Sequence, residues 1–119
     1  MMKICITARG KMLESAFERH FARAPYFLFY NSLTGKSEAI RNGFVISDTR
    51  IGQNAVRLLK NNGLDAVITG EIGENARALL SGSDISLYLY NGPGTVRQAI
   101  DEYLGSQEEK GASGTARPT

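Results

Sequence analysis

The chain has 119 residues, of which 42% are apolar and 22% charged. That size and mix fit one globular domain and exclude a disordered chain, a collagen and a coiled-coil rod. Fourteen Lys and Arg against twelve Asp and Glu leave a net charge of +2, too small to imply nucleic acid. No stretch approaches the ~18 uncharged apolar residues of a membrane span, and the N-terminus reads directly into a strand without a secretory pattern. One cysteine, Cys5, cannot form an internal disulfide or a Cys-only metal cage, so a reducing cytoplasm is the expected compartment.

Lys3–Ala8 is a short β-branched run and reads as a buried strand, broken by Arg9-Gly10-Lys11. In 11–21, Met12, Leu13, Ala16, Phe17 and Phe21 have near-helical spacing, enough for one or two turns. Tyr26–Tyr30 is an aromatic strand set off by Pro25. Asn31–Gly35 is a hairpin connection, and Lys36–Arg41 returns antiparallel. Asp48 or Thr49 caps a helix over 51–62 that turns Ile51, Ala55, Leu58 and Leu59 inward and ends at Gly63. Asp65–Thr69 is a buried strand. Gly70–Gly73 leads into a helix with Ala76, Leu79 and Leu80 inside, closed by Gly82. Ile85–Tyr90 is a strand and Asn91–Gly94 a turn. Thr95 and Gln98 match a capping box for a last helix burying Val96, Ala99, Ile100, Tyr103 and Leu104. Gly105–Thr119 has no aliphatic residue larger than Ala, so the expected folded domain is 2–104 with a disordered tail.

The order β-β-β-α-β-α-β-α predicts an α/β fold. The first three strands are antiparallel neighbours, and the later strands join parallel to the first through right-handed crossovers. The expected sheet is mixed and five-stranded, in the order 3-2-1-4-5, with helices on its faces.

In such sheets the usable crevice lies at the carboxyl ends of the parallel strands. The loops leaving those ends, and the segment before Tyr26, bring Arg9, His20, Arg23, Glu71, Gly73, Gly94 and Thr95 to one edge. A neutral imidazole is a good transition-metal ligand. Alone it does not hold zinc, which wants three or four ligands, but it can anchor a preassembled cluster. Arginines and helix N-termini attract anions. Each feature also has a bland reading. His20 can be a surface histidine, Glu71 and Glu74 can favour a helix start, and Gly92–Thr95 can be a tight turn, since it lacks the P-loop pattern. Cys5 reads as a small buried hydrophobe rather than a thiolate ligand. Catalysis finds little support: there is no Cys/His pair at motif spacing, no nucleophile elbow, and no acid in the first strand for two-metal chemistry. The chain is expected not to be an enzyme.

Three segments resemble one family in order and spacing. They are His20-Phe21-Ala22-Arg23-Ala24-Pro25-Tyr26-Phe27, Asn61-Asn62-Gly63-Leu64-Asp65-Ala66-Val67-Ile68-Thr69-Gly70-Glu71-Ile72-Gly73-Glu74-Asn75-Ala76, and Gly94-Thr95-Val96-Arg97-Gln98-Ala99-Ile100. Over about 2–104 the chain is similar to the nitrogenase iron–molybdenum cofactor biosynthesis family. The resemblance implies a ribonuclease-H-like three-layer fold. It further implies non-catalytic binding or carriage of an iron–sulfur or iron–molybdenum cofactor precursor, between donor and acceptor proteins of metallocluster assembly. The family histidine implicated in cofactor binding falls on His20, which makes it the expected metal ligand. Two departures stand out: Ala22 occupies a position where Gly is common, and 43–52 lacks a glycine- and histidine-rich loop. The alternative is a metal-free interaction or regulatory module that acts through a protein partner or through self-association, for example a homodimer formed at the exposed third strand.

Overall fold

The computed structural model describes residues 2–21, 23–42 and 51–113. In chain order the elements are β1 (Lys3–Ala8), β2 (Tyr26–Asn31), β3 (Ser37–Arg41), α1 (Ile51–Asn61), β4 (Ala66–Thr69), α2 (Glu74–Ser81), β5 (Ser86–Leu89) and α3 (Val96–Ser113). They form a mixed five-stranded sheet in the order β3-β2-β1-β4-β5. β1 pairs antiparallel with β2 and parallel with β4; β2–β3 is antiparallel and β4–β5 parallel.

The central strands β1, β2 and β4 are largely apolar without alternation because each face of the sheet is covered there. Ile4, Ile6 and Ala8 of β1 join Leu28, Ile68 and the α3 residues Val96, Ala99, Ile100 and Tyr103. Cys5 points the other way, among Phe27, Phe29 and Val67 with Val56 and Leu59 of α1 and Ala76 and Leu80 of α2. Burying a side chain of this size is worth roughly 1.5–3 kcal/mol, so two such clusters hold the sheet from both sides. Burial also pushes the Cys5 thiol well above its usual range, and the side chain lies fully inside the core, as the small buried hydrophobe its position suggests.

Four local readings differ from the observed structure. Residues 11–21 form no helix. Phe17 belongs to the α3-side cluster and Phe21 to the α1–α2 side, so the near-helical spacing comes from a chain that crosses the end of the sheet and drops one ring on each face. Leu79 is 41% exposed and lines a hollow with Val56, Arg57, Lys60 and Asn61; α2 buries only Ala76 and Leu80. Val56 takes a core place on α1 that the pattern did not give it. Finally, α3 continues beyond Leu104 to Ser113. Gln107, Glu108, Glu109, Lys110 and Ala112 are good helix formers, and a helix already nucleated by packing propagates through them. The caps Asp48 and Thr49, the 43–50 connection and Ala22 lie outside the described residues.

The sheet has two edges, β3 and β5. β3 carries Glu38 and Arg41, charges that discourage strand addition, whereas Ser86-Leu87-Tyr88-Leu89 of β5 carries none. Among the described residues no helix is long and apolar enough to cross a membrane.

Candidate functional site

Residues 15–21 run as a strap across the carboxyl ends of the parallel strands. The Glu18 N–H donates to the Thr7 carbonyl at 3.0 Å, Gly70 and Glu71 donate to the Arg19 carbonyl at 2.9 and 2.6 Å, and Phe21 donates to the Glu71 carbonyl at 2.9 Å. Two fully buried hydroxyls sit beneath it. Thr7 Oγ1 donates to the Glu18 carbonyl at 2.5 Å and lies 3.0 Å from Thr69 Oγ1, which is 3.2 Å from the Arg19 carbonyl. Thr7 thus satisfies the Glu18 carbonyl, and Thr69 adds a hydroxyl contact to the Arg19 carbonyl that Gly70 and Glu71 already bond. Phe21 anchors the strap from below, its ring 5.6 Å from that of Phe27.

Gly70 allows the strap to approach. A Cβ there would stand 3.0 Å from Arg19 Cβ and 3.1 Å from its Cα and carbonyl oxygen. Any side chain at 70 would lift the backbone that carries His20.

Glu18 locks the strap from within. Its carboxylate, 8% exposed as a residue, takes Arg9 Nε on Oε1 at 3.0 Å and the His20 N–H on Oε2 at 3.0 Å. A nearly buried carboxylate needs such partners. The Arg9 guanidinium is therefore committed to Glu18 and not free to receive a ligand on that nitrogen.

At one end of the strap, His20 pairs in parallel register with Glu71. Its Nδ1 lies 3.3 Å from Glu71 Oε1, with both side chains more than half exposed. Around them opens a hollow of about 300 Å³ lined by His20, Phe21, Arg23, Glu71, Ile72 and Gly73. Gly73 is the N-cap of α2, extended and without a side-chain cap, so the N-terminus of α2 meets the hollow with its first-turn N–H groups open. Arg23 is the lining cation. Nε2 of His20 has no protein partner among the described residues.

The other end differs. Ala16 bridges to Thr95, and the Phe17 N–H donates to the Gly94 carbonyl at 2.9 Å. The N-terminus of α3 is fully used. Val96 and Arg97 donate to the Ser15 and Leu13 carbonyls at 2.9 and 2.8 Å, Gln98 donates to Thr95 Oγ1 at 3.2 Å, and the Thr95 N–H donates to Gln98 Oε1 at 2.8 Å. From Ala16 to His20 is four steps of extended chain, roughly 13 Å. The structure thus gathers His20, Arg23, Glu71 and Gly73, sets Arg9 one residue pair away on Glu18, and separates Gly94 and Thr95, where the Thr95 N–H is taken by Gln98 Oε1.

Among the described residues no three of His, Cys, Asp and Glu come together to hold a metal ion. The hollow supplies one imidazole nitrogen, one cation and one uncapped helix start. Such a donor set suits a ligand that brings most of its own coordination, not a bare ion. A larger hollow of about 500 Å³ lies by Lys60, Asp65, Ser83 and Asp84 at the opposite edge, but it holds no imidazole.

Glu18, Thr7, Thr69 and Gly70 escaped the sequence reading. Thr7 and Thr69 were visible as polar residues at the carboxyl ends of aliphatic strands, where no helix or turn needed them. Glu18 gave no local sign, because its two partners are chosen by the path of the strap.

The family model described as dinitrogenase iron-molybdenum cofactor matches residues 2–106. No curated protein matches the chain. Among solved structures, the apo form of the orange protein from Desulfovibrio gigas is similar at 30% identity over 90% of each chain, with a TM-score of 0.84. An NMR structure of a NifB-like Thermotoga protein of the DUF35 family is also 30% identical over 90% of each chain, with a TM-score of 0.78. A third, PH0822, shares the fold at 22% identity and a TM-score of 0.70 over 88% of this chain and 92% of its own.

Proposed function

The chain belongs to the dinitrogenase iron–molybdenum cofactor family, and from that premise we propose that it is a non-catalytic carrier. Its cargo is an iron–sulfur or iron–molybdenum cofactor precursor, taken at the His20 hollow from a donor protein and passed to an acceptor. The observation that carries the reading is His20 Nε2, partnerless among the described residues in a hollow of about 300 Å³ and mounted on a strap fixed at both ends. A preassembled cluster brings its own sulfides and terminal ligands, so one protein nitrogen can serve as its anchor. Arg23 and the open N-terminus of α2 offset its negative charge.

Anaerobic reconstitution with ferrous iron and sulfide tests the reading. Absorption spectra and iron and sulfide content should show a bound cluster in the wild type and its loss in His20→Ala. Equal loading of the two proteins would refute it. A second reading is a metal-free self-associating module, favoured by the uncharged β5 edge. It predicts a dimer in sedimentation and no retained iron.

A further inference from the structure

Resting on the carrier reading, we propose that Glu71 is a positioning residue that decides which nitrogen of His20 meets the cargo. A neutral imidazole has one N–H and one lone pair, and an ionised carboxylate only accepts. Glu71 Oε1 lies 3.3 Å from Nδ1, close enough for the carboxylate to favour the N–H on Nδ1 and the lone pair on Nε2. Nε2 is the nitrogen without a protein partner among the described residues, so it is the ligating atom.

The backbone makes this arrangement specific. The Glu71 N–H donates to the Arg19 carbonyl and the Phe21 N–H to the Glu71 carbonyl, so Glu71 bonds to both chain neighbours of His20. The His20 N–H is held in turn by Glu18 Oε2. The two side chains project side by side from a bridge pinned on both strands, and the bare Cα of Gly70 lets that bridge close. Among the described residues no other charged side chain pairs with Glu71. An exposed pair of this kind is weak as a source of stability. A choice between two tautomers, however, needs only a several-fold bias, and carboxylate partners of ligating histidines fix tautomer and ring orientation in this way.

His20 is the only histidine of the chain, so its ring can be read without assignment. The test uses the full chain without cargo, labelled with ¹⁵N, in long-range ¹H–¹⁵N spectra at a pH where the ring is neutral. The wild type should show mainly the Nδ1–H form. Glu71→Ala, which removes an exposed side chain, should shift the ratio toward Nε2–H by at least about threefold, with the amide spectrum confirming the fold. After reconstitution with ferrous iron and sulfide, Glu71→Ala should lose iron to a chelator about tenfold faster than wild type. An unchanged tautomer ratio, or a changed ratio with unchanged iron loss, would overturn the role of Glu71. Loading that survives His20→Ala would instead overturn the carrier reading, and the tautomer measurement would still judge the Glu71–His20 contact on its own.

Discussion

Two helices begin at the same edge of the sheet, each after a glycine turn, and only one is open. At α3 the capping box of Thr95 and Gln98 and the carbonyls of Leu13 and Ser15 consume the first N–H groups. At α2 the N-cap is Gly73 with no side-chain cap, and a hollow containing the only imidazole lies against it. A helix start is an anion site only where its donors are left over. The capping box that makes the α3 boundary easy to read from sequence is also what closes it to a ligand.

The largest expected effect is at Gly70, the residue that lets the strap reach the α2 side. Gly70→Ala places a Cβ 3.0–3.1 Å from Arg19 atoms and should cost about 1–3 kcal/mol in urea unfolding. It should also reduce cluster loading, since His20 moves with the strap. Wild-type stability and loading in this variant would show that the close approach does not position the site. Thr95→Ala comes next. It should cost about 1 kcal/mol by opening the α3 capping box, with loading unchanged. Lost loading there would erase the difference between the two helix starts.

Gly73→Asp makes α2 resemble α3. Its Cβ meets nothing within 4 Å and the backbone is extended, as a side-chain cap requires. The substitution should stabilise the protein by about 0.5 kcal/mol and weaken cargo retention in the same chelator assay. Retention at wild-type strength would show that the α2 donors take no part.

The smallest effect serves as a remote control on α3. The Tyr88 hydroxyl donates to Glu102 Oε2 at 2.6 Å, and that carboxylate, helped by partial burial, pushes the phenol up to about 12. A raised folded-state value stabilises the neutral form. The contribution is therefore complete below the ordinary phenol range and lost as pH rises through that range toward about 12. Glu102→Gln should bring the late tyrosine step in an ultraviolet titration down toward the ordinary range without altering loading.

Legibility from the sequence follows interaction range. Strand order, the two cores and the Thr95–Gln98 cap depend on periodicity and local spacing, and these appear in the letters. The topology rule also brought His20, Arg23, Glu71 and Gly73 to a common edge. What stayed hidden depends on the path of the strap. Glu18 neutralises Arg9, although nothing in their nine-residue separation requires the pairing. Phe17 and Phe21 imitate a helix because the chain steps over the sheet end between them. Leu79 reads as core by period but faces the α1–α2 hollow, since α2 buries a narrow stripe.

The most direct test of where the cargo sits is the amide spectrum of ¹⁵N-labelled protein before and after anaerobic loading with ferrous iron and sulfide. Signals of His20, Phe21, Arg23, Glu71, Ile72 and Gly73 should broaden or shift, while those of Gly94 and Thr95 stay in place. Perturbation centred on Gly94 and Thr95, with Glu71 and Gly73 unmoved, would contradict the account.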